Sequence, residues 1–261
     1  NTLRELRLRA LPIPVRAADG LNLDAFERAV RRCRVRACVV VPNFHNPMGF
    51  VMPDENKRRL VEICARKRIT IIEDDTYGDL PHDGVRPRCL KAFDENVILC
   101  GSFSKKLAPG YRVGYIAAGP WQPRVRALKQ TSTLIGALLP TLAVAEFLKT
   151  GGYDRYLRGV RQAYRVQVAR MQEAVAASFP EGIGLSRPRG GYLLWCELPR
   201  RVDAVRLLER AREAGISIAP GPMFSPTGEF RNYIRLNCGY PWNARIENAI
   251  DTLGRLIREF A

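Results

Sequence analysis

Short apolar runs at 37–41, 69–72, 97–100 and 113–117 alternate with helical spacing through the first 120 residues. Leu23 to Arg34 places Leu23, Phe26, Ala29 and Val30 on one face of a helix. Pro53-Asp54-Glu55 opens a second helix, with proline and acids in the first turn and Leu60, Ile63 and Cys64 turned inward. Strands without polar alternation are buried on both faces. Helix and strand in this order predict an α/β domain with a largely parallel sheet. Ligands of such sheets bind beyond the carboxyl ends of the strands, so the polar segments after the first three runs are where chemistry is expected.

The second half has another rhythm. Helical patterns at about 121–148 and 153–178 flank Gly151-Gly152, then a strand (190–198), a helix (202–214), two strands (216–219 and 233–237) and a final helix (244–260) follow. This is a smaller α+β unit. The expected division is 1–145 for part of a large domain and 146–261 for a small C-terminal domain, bridged by the long helices. Asn1-Thr2-Leu3 has no Met, and Leu3, Leu6 and Leu8 read as the end of a helix. The expectation is therefore a fragment whose upstream part is missing.

Composition excludes several classes. With 261 residues, 46% hydrophobic and 26% charged, the chain is an ordinary globular sequence. No apolar run reaches the ~18 residues of a membrane helix. The charge is unusual: 42 Lys and Arg against 26 Asp and Glu give +16, and 35 of the 42 are Arg. This suits an anionic partner such as nucleic acid or a phosphorylated or carboxylate ligand, or equally an arginine-rich bias spread over solvated faces. The basic residues are scattered, and the densest cluster is Arg28, Arg31, Arg32, Arg34 and Arg36. Seven Cys without a CxxC pair, most in apolar stretches, read as buried reduced thiols of a cytosolic protein. With only His45 and His82 present, neither zinc nor a histidine-dependent nucleophile is indicated.

Three strand ends carry candidate chemistry. The first holds Asn43-Phe44-His45-Asn46-Pro47-Met48-Gly49, where Asn46 before proline is held extended and can point its amide at a ligand. The second holds Glu73-Asp74-Asp75-Thr76-Tyr77, three carboxylates that repel one another unless a cation or protonated nitrogen lies near. The third holds Ser102-Phe103-Ser104-Lys105-Lys106, with Arg112 seven residues after Lys105. Hydroxyls and a guanidinium suit phosphate oxygens, and a lysine among cations can form a Schiff base. The GxxxxGK[ST] phosphate loop is absent. One ligand answers all three segments: a ring with a basic nitrogen, a phenolic oxygen, an aldehyde and a phosphate, which is pyridoxal 5′-phosphate (PLP).

These motifs also carry a family resemblance. Asn46-Pro47-x-Gly49, Glu73-Asp74-Asp75-x-Tyr77, Ser102-Phe103-Ser104-Lys105 and Pro109-Gly110-x-Arg112-x-Gly114 resemble class I/II aminotransferases of PLP fold type I. So do Gly190-Gly191-Tyr192-x-x-Trp195, Ala219-Pro220-Gly221-x-x-Phe224 and Tyr233-Ile234-Arg235-Leu236-Asn237, in order, over nearly the whole chain. The resemblance implies that Lys105 attaches PLP while Lys106 is a bystander, and that Asp74 pairs with the pyridinium. It implies that Tyr77 and Asn46 contact the ring oxygen, that Ser102, Ser104 and Arg112 bind phosphate, and that Arg235 grips a substrate α-carboxylate. His45 and Met48 depart from the commoner residues around Asn46. The family's glycine-containing phosphate turn and its ring-stacking aromatic belong upstream of Asn1, so weak or absent PLP binding is expected of this chain alone.

Within the family the wording is most similar to MocR-type regulators of the GntR family, in Met52 to Arg59, Ser104 to Arg112 and Phe230 to Asn237. That resemblance implies an effector-sensing, cytoplasmic, homodimeric protein binding an amino acid or another amine. DNA would be reached only through a winged helix-turn-helix, which does not lie in these 261 residues. The alternatives are a free-standing aminotransferase for an aromatic or aminoadipate-like amino acid and a 2-oxo acid, and a PLP lyase or decarboxylase on the same fold. No membrane role is indicated.

Overall fold

The computed structural model describes residues 2–260. A single helical turn, α1 (Thr2–Glu5), precedes a short hairpin of β1 (Val15–Arg16) and β2 (Gly20–Leu21). The α/β part follows: α2 (Leu23–Arg32), β3 (Ala37–Val40), α3 (Asp54–Lys67), β4 (Thr70–Asp74), β5 (Ile98–Ser102) and β6 (Gly114–Ala117). The strands lie in the order β3-β4-β5-β6. The first three are parallel and β6 is antiparallel to β5, with Ser102 opposite Gly114. The predicted largely parallel sheet is therefore present, closed on one side by a reversed strand. Asn22 caps α2 through Ala25 N–H at 3.0 Å. Packing of α2 and α3 on one sheet face buries Leu23, Phe26, Leu60, Ile63 and Ile71. On the opposite face Val39 is 64% and Ile116 49% exposed.

Next come α4 (Gln122–Ser132), α5 (Leu138–Lys149) and the long α6 (Gly152–Ser178). The single helix expected over 121–148 is in fact two. Leu134 adopts a left-handed conformation (φ 53°), and Pro140 tolerates helix only within its first turn, since its ring clashes with the preceding turn and it has no N–H. The remaining strands β7 (Gly184–Leu185), β8 (Leu193–Glu197), β9 (Ala219–Pro220) and β10 (Tyr233–Asn237) form an antiparallel sheet in the order β7-β8-β10-β9. Helices α7 (Ala204–Glu213) and α8 (Ala244–Glu259) pack on it with α6, burying Leu157, Val168, Leu194, Leu207, Ile234 and Leu253.

Two strands are shorter than the apolar pattern suggested. The run at 190–198 joins the sheet only over Leu193–Glu197, and ahead of it Gly190 makes an isolated antiparallel bridge to Pro81 at a close approach. A side chain on Gly190 would strike the Phe44 ring and the Leu80 carbonyl. The run at 216–219 contributes only Ala219 and Pro220, after which Pro220-Gly221-Pro222 turns into a 3-10 helix. Of the seven thiols, Cys38, Cys64, Cys196 and Cys238 are buried, Cys89 and Cys100 half-buried, and Cys33 exposed at the C-terminal cap of α2. All seven are free. The five-arginine cluster lies exposed on α2 and its exit, as a solvated face would. Among the described residues no helix is long and apolar enough to cross a membrane.

Candidate functional site

The site residues collect at the carboxyl ends of β3, β4 and β5, where parallel strands direct their exiting loops. After β3 the chain folds back on itself. Gly49 N–H donates to the His45 carbonyl at 2.6 Å, His45 N–H to the Phe50 carbonyl at 3.0 Å and Met52 N–H to the Pro42 carbonyl at 2.8 Å. The Asn46–Pro47 peptide at its tip is cis. His45 stacks on Phe50 with ring centroids 4.4 Å apart. Burial pushes its imidazole down to about 4, so it is neutral at pH 7.

The three consecutive carboxylates separate. Glu73 turns into the core, where Leu90 N–H and Lys91 N–H donate to its two oxygens at 2.8 and 3.1 Å. Burial raises its carboxyl to about 7, the two backbone donors opposing. Asp75 is also fully buried, accepting from Asn43 Nδ2 at 3.1 Å and paired with Arg86. Burial raises its carboxyl, and the Arg86 charge works against that. Asp74 alone stays half-buried at the strand end, accepting from Thr76 N–H at 3.0 Å and from the Thr76 hydroxyl. Tyr77 is 7% exposed and meets Tyr192 edge-on, with centroids 5.7 Å apart. Burial raises its phenol, while Tyr192 and the positive charge of Arg235 pull the other way.

Asp74 pairs in register with Cys100 of β5, and Asp75 N–H donates to the Cys100 carbonyl at 2.9 Å. With a side-chain period of two, Asp74, Cys100 and Ser102 lie on the same face of the sheet. Beyond Ser102 the chain turns tightly, Leu107 N–H donating to the Phe103 carbonyl at 2.8 Å. Ser102 Oγ accepts from Ser104 N–H at 3.1 Å, and Arg112 Nη1 donates to Ser104 Oγ at 3.1 Å. Arg112 holds a left-handed conformation (φ 54°), uncommon outside glycine. Lys105 is exposed, whereas Lys106 is fully buried against Asp79. Among the described residues no carboxylate pairs with Lys105, Arg112 or Arg235 by an ion pair.

Arg235 lies in β10 opposite Trp195 of β8. Its guanidinium sits over Phe224, 5.0 Å from the ring centroid, and Nη1 donates to Asn46 Oδ1 at 2.9 Å. Its Nε is buried and has no partner. Hydrogen bonds thus unite Ser102, Ser104 and Arg112 in one group, and Asn46 with Arg235 in another. Tyr77 feels the Arg235 charge, and Asp74 and Lys105 are linked to these groups through the backbone pairing of β4 with β5.

Sequence reading missed the charged network beneath the site. Lys57, fully buried, donates to Asn43 Oδ1 at 2.8 Å and to the Arg88 carbonyl at 2.6 Å. Asn43 leads to Asp75, Asp75 to Arg86, Arg86 to Asp79 and Asp79 to Lys106. The available signal was Lys57 itself, on the inward stripe of an amphipathic helix with Leu60, Val61 and Cys64.

The profile of the family aminotransferase class I and II matches residues 3–253. The chain is 35% identical over 257 residues to YjiR, an HTH-type transcriptional regulator of Escherichia coli, covering 98% of this chain and 55% of that one. It is 34% identical over 257 residues to a 2-aminoadipate transaminase of Thermus thermophilus, covering 96% and 64%. The fold is similar to the crystal structure of LysN, an α-aminoadipate aminotransferase of T. thermophilus in complex with N-(5′-phosphopyridoxyl)-L-leucine, at a TM-score of 0.90 and 31% identity, covering 97% and 66%. The chain thus spans little more than half of the regulator and about two thirds of the enzymes. With the profile matched from α1 into α8 and the fold shared, the chain belongs to the class I and II aminotransferase family of PLP fold type I.

Proposed function

We propose that this chain is the PLP-binding, effector-sensing part of a MocR-type regulator of the GntR family. The observation that carries the cofactor reading is the group formed by Ser102, Ser104 and Arg112 beside the exposed Lys105. Two hydroxyls and a guanidinium free of carboxylate neighbours suit a phosphate. Lys105, also without a carboxylate partner among the described residues, is the amine available for covalent attachment. Asp74 supplies the half-buried acceptor for the ring nitrogen, and Tyr77 and Asn46 the donors for the ring oxygen. When bound, PLP supplies an electrophilic carbon and an electron-withdrawing ring that stabilises charge at the Cα of an amino acid.

Arg235 fits the other end of such a ligand. Its unpartnered, buried Nε and the planar fork beside it suit an α-carboxylate, and Asn46 fixes the guanidinium from one side. Phe224 forms an apolar wall against it. Within this reading residues 1–145 carry the cofactor side and residues 146–261 form a small domain that brings Arg235 to it. The working unit is a cytoplasmic homodimer that meets DNA through a winged helix-turn-helix outside these residues. Its small-molecule partner is an amino acid or related amine.

The regulator reading is favoured by the HTH-type relatives of E. coli and of Bacillus subtilis, the latter 29% identical over 259 residues. The transaminase relatives favour a second reading, a PLP-dependent aminotransferase. Full-length protein incubated with PLP, a panel of L-amino acids and 2-oxo acids separates the two. A shift of the cofactor absorbance by an amino acid, without 2-oxo acid turnover and with altered DNA affinity, is the expected result. Sustained amino-group transfer with unaltered DNA affinity would establish the enzyme instead.

A further inference from the structure

Asp79 joins parts of the molecule that the site as described leaves separate. Its Oδ1 accepts from Arg86 Nε at 2.6 Å, and its Oδ2 accepts from Lys106 Nζ and from the Tyr153 hydroxyl, the latter at 3.1 Å. Its backbone carbonyl accepts from Arg161 Nε at 2.8 Å. The segment carrying Asp74 and Tyr77, the loop carrying Lys105 and the helix α6 therefore converge on one residue. Burial by itself would raise the Asp79 carboxyl, but Lys106 and Arg86 outweigh it and hold it at about 2.

Lys106 is an unusual partner. Its side chain is fully enclosed, and the ammonium lies 5.6 Å from the Phe103 ring centroid and 5.9 Å from that of Tyr115. A lysine is almost never enclosed unless paired, and enclosing the pair is repaid only by good geometry and further hydrogen bonds. Arg86 and Tyr153 supply those to Asp79. The loop is held elsewhere by the Phe103 N–H bond to the Val113 carbonyl at 3.0 Å, by the Ser104 contacts to Ser102 and Arg112, and by the Tyr156 hydroxyl on the Leu107 carbonyl at 3.4 Å. Of these only the Arg112 contact to Ser104 Oγ holds a side chain next to Lys105, and it is exposed, unlike the enclosed Lys106 anchor. Lys106, Leu107 and Ala108 all donate to the single Phe103 carbonyl, at 3.4, 2.8 and 3.2 Å. Lys105 and Lys106 are consecutive, one exposed and the other buried, so anchoring the second fixes the backbone from which the first projects.

We propose that the Asp79–Lys106 ion pair is a positioning device for Lys105, holding its loop in place relative to Asp74 so that Lys105 reaches a cofactor seated at the strand ends. The inference rests on the reading that Lys105 carries PLP. Lys106 and Asp79 are positioning residues and take no part in bond making. A purely structural pair would lower stability without changing how bound PLP is shared between attached and unattached forms. A positioning pair changes that share.

The test uses full-length protein as unmodified, Lys106→Met, Lys106→Arg and Asp79→Asn forms, each loaded with PLP. Three quantities are read: the fraction of bound PLP that borohydride traps on Lys105, mapped by peptide mass spectrometry; the circular dichroism of the cofactor band; and hydrogen exchange of residues 103–108 in the cofactor-free protein. Lys106→Met and Asp79→Asn are expected to lower the trapped fraction at least threefold, to weaken the circular dichroism and to speed exchange in 103–108. Lys106→Arg should recover most of each signal. Trapping in Lys106→Met equal to the unmodified protein overturns the inference, as does loss in Lys106→Arg as deep as in Lys106→Met. If Lys106→Met does not fold, Tyr153→Phe, which removes one donor to Asp79, should show the same changes in smaller measure, and no change there is equally contrary. Trapping at another residue of the unmodified protein removes the cofactor reading and this inference together. Trapping at Lys105 that no variant alters removes the inference alone.

Discussion

Arg235 Nη1 donates to Asn46 Oδ1 at 2.9 Å, a bond between residues 189 apart in sequence. It joins the antiparallel sheet to the loop after β3 and leaves Arg235 with a buried, unpartnered Nε. A guanidinium held from one side is prepared for a carboxylate on the other, because its fork forms two parallel bonds that an ammonium cannot.

Arg235→Lys should therefore weaken amino-acid binding by about ten- to a hundredfold, in line with ~1.5–3 kcal/mol for a hydrogen bond to a charged group, while PLP binding changes little. Titrating the cofactor absorbance with amino acids measures both. Equal amino-acid affinity in the variant would take Arg235 out of the site.

Asp74 and Asp75 are neighbours with different tasks. Asp74→Asn should weaken PLP binding and leave the melting temperature nearly unchanged. Asp75→Asn should do the reverse: it removes the fully buried one of the two carboxylates that pair with Arg86, leaving only Asp79, at a cost of about 1–3 kcal/mol. Paired cofactor titrations and thermal melts check this, and equal effects of the two changes on cofactor affinity would contradict the assignment.

Glu73 gives a pH signature of stability. Its carboxyl lies at about 7 in the folded chain, raised by burial from 4.5. The folded state therefore binds more protons than the unfolded state between those values. The contribution is fully present below about 4.5 and is lost as pH rises through 7, up to ~3 kcal/mol at 1.36 kcal/mol per unit. His45 acts with the opposite sign: its pKa, lowered from 6.5 to about 4 by burial, costs stability as pH falls through that range. Urea denaturation at pH 5 and pH 8 should show Glu73→Gln losing stability relative to the unmodified protein at pH 5 and recovering it at pH 8. A difference that is independent of pH would refute the shift.

The α6–α8 contact admits no side chain at Gly254, where an added Cβ would overlap the Ser178 carbonyl. The same carbonyl accepts from Arg258 Nη1 at 2.8 Å. Backbone cannot rotate away as a side chain can, so Gly254→Ala should cost about 1–3 kcal/mol through overpacking, despite alanine's better helix propensity. A chemical denaturation curve decides it.

How much of this was legible in the sequence follows from the range of the interactions. The strand ends with Asn46, Asp74 and Lys105 were legible because apolar runs and the polar segments after them are local features. The break between α4 and α5 was signalled only by Pro140 and Gly136 inside an apolar stretch, where helical periodicity looks continuous. The reversed direction of β6 could not be read, since Val113 to Ala117 would be equally apolar in either direction. The network through Lys57, Asn43, Asp75, Arg86 and Asp79 was invisible for a physical reason. Its members lie 7 to 32 residues from their partners, and no periodicity ties a buried charge to its counter-charge. Lys106 passed as a bystander because two adjacent lysines are indistinguishable until the loop turns one of them inward.

In the proposed reading Lys105 is the residue that takes the cofactor. The most direct measurement is borohydride reduction of PLP-loaded full-length protein followed by peptide mass spectrometry. The phosphopyridoxyl mass is expected on Lys105, absent from Lys105→Ala, with none on Lys106. A label on Lys106, or one that survives in Lys105→Ala at full yield, would contradict it.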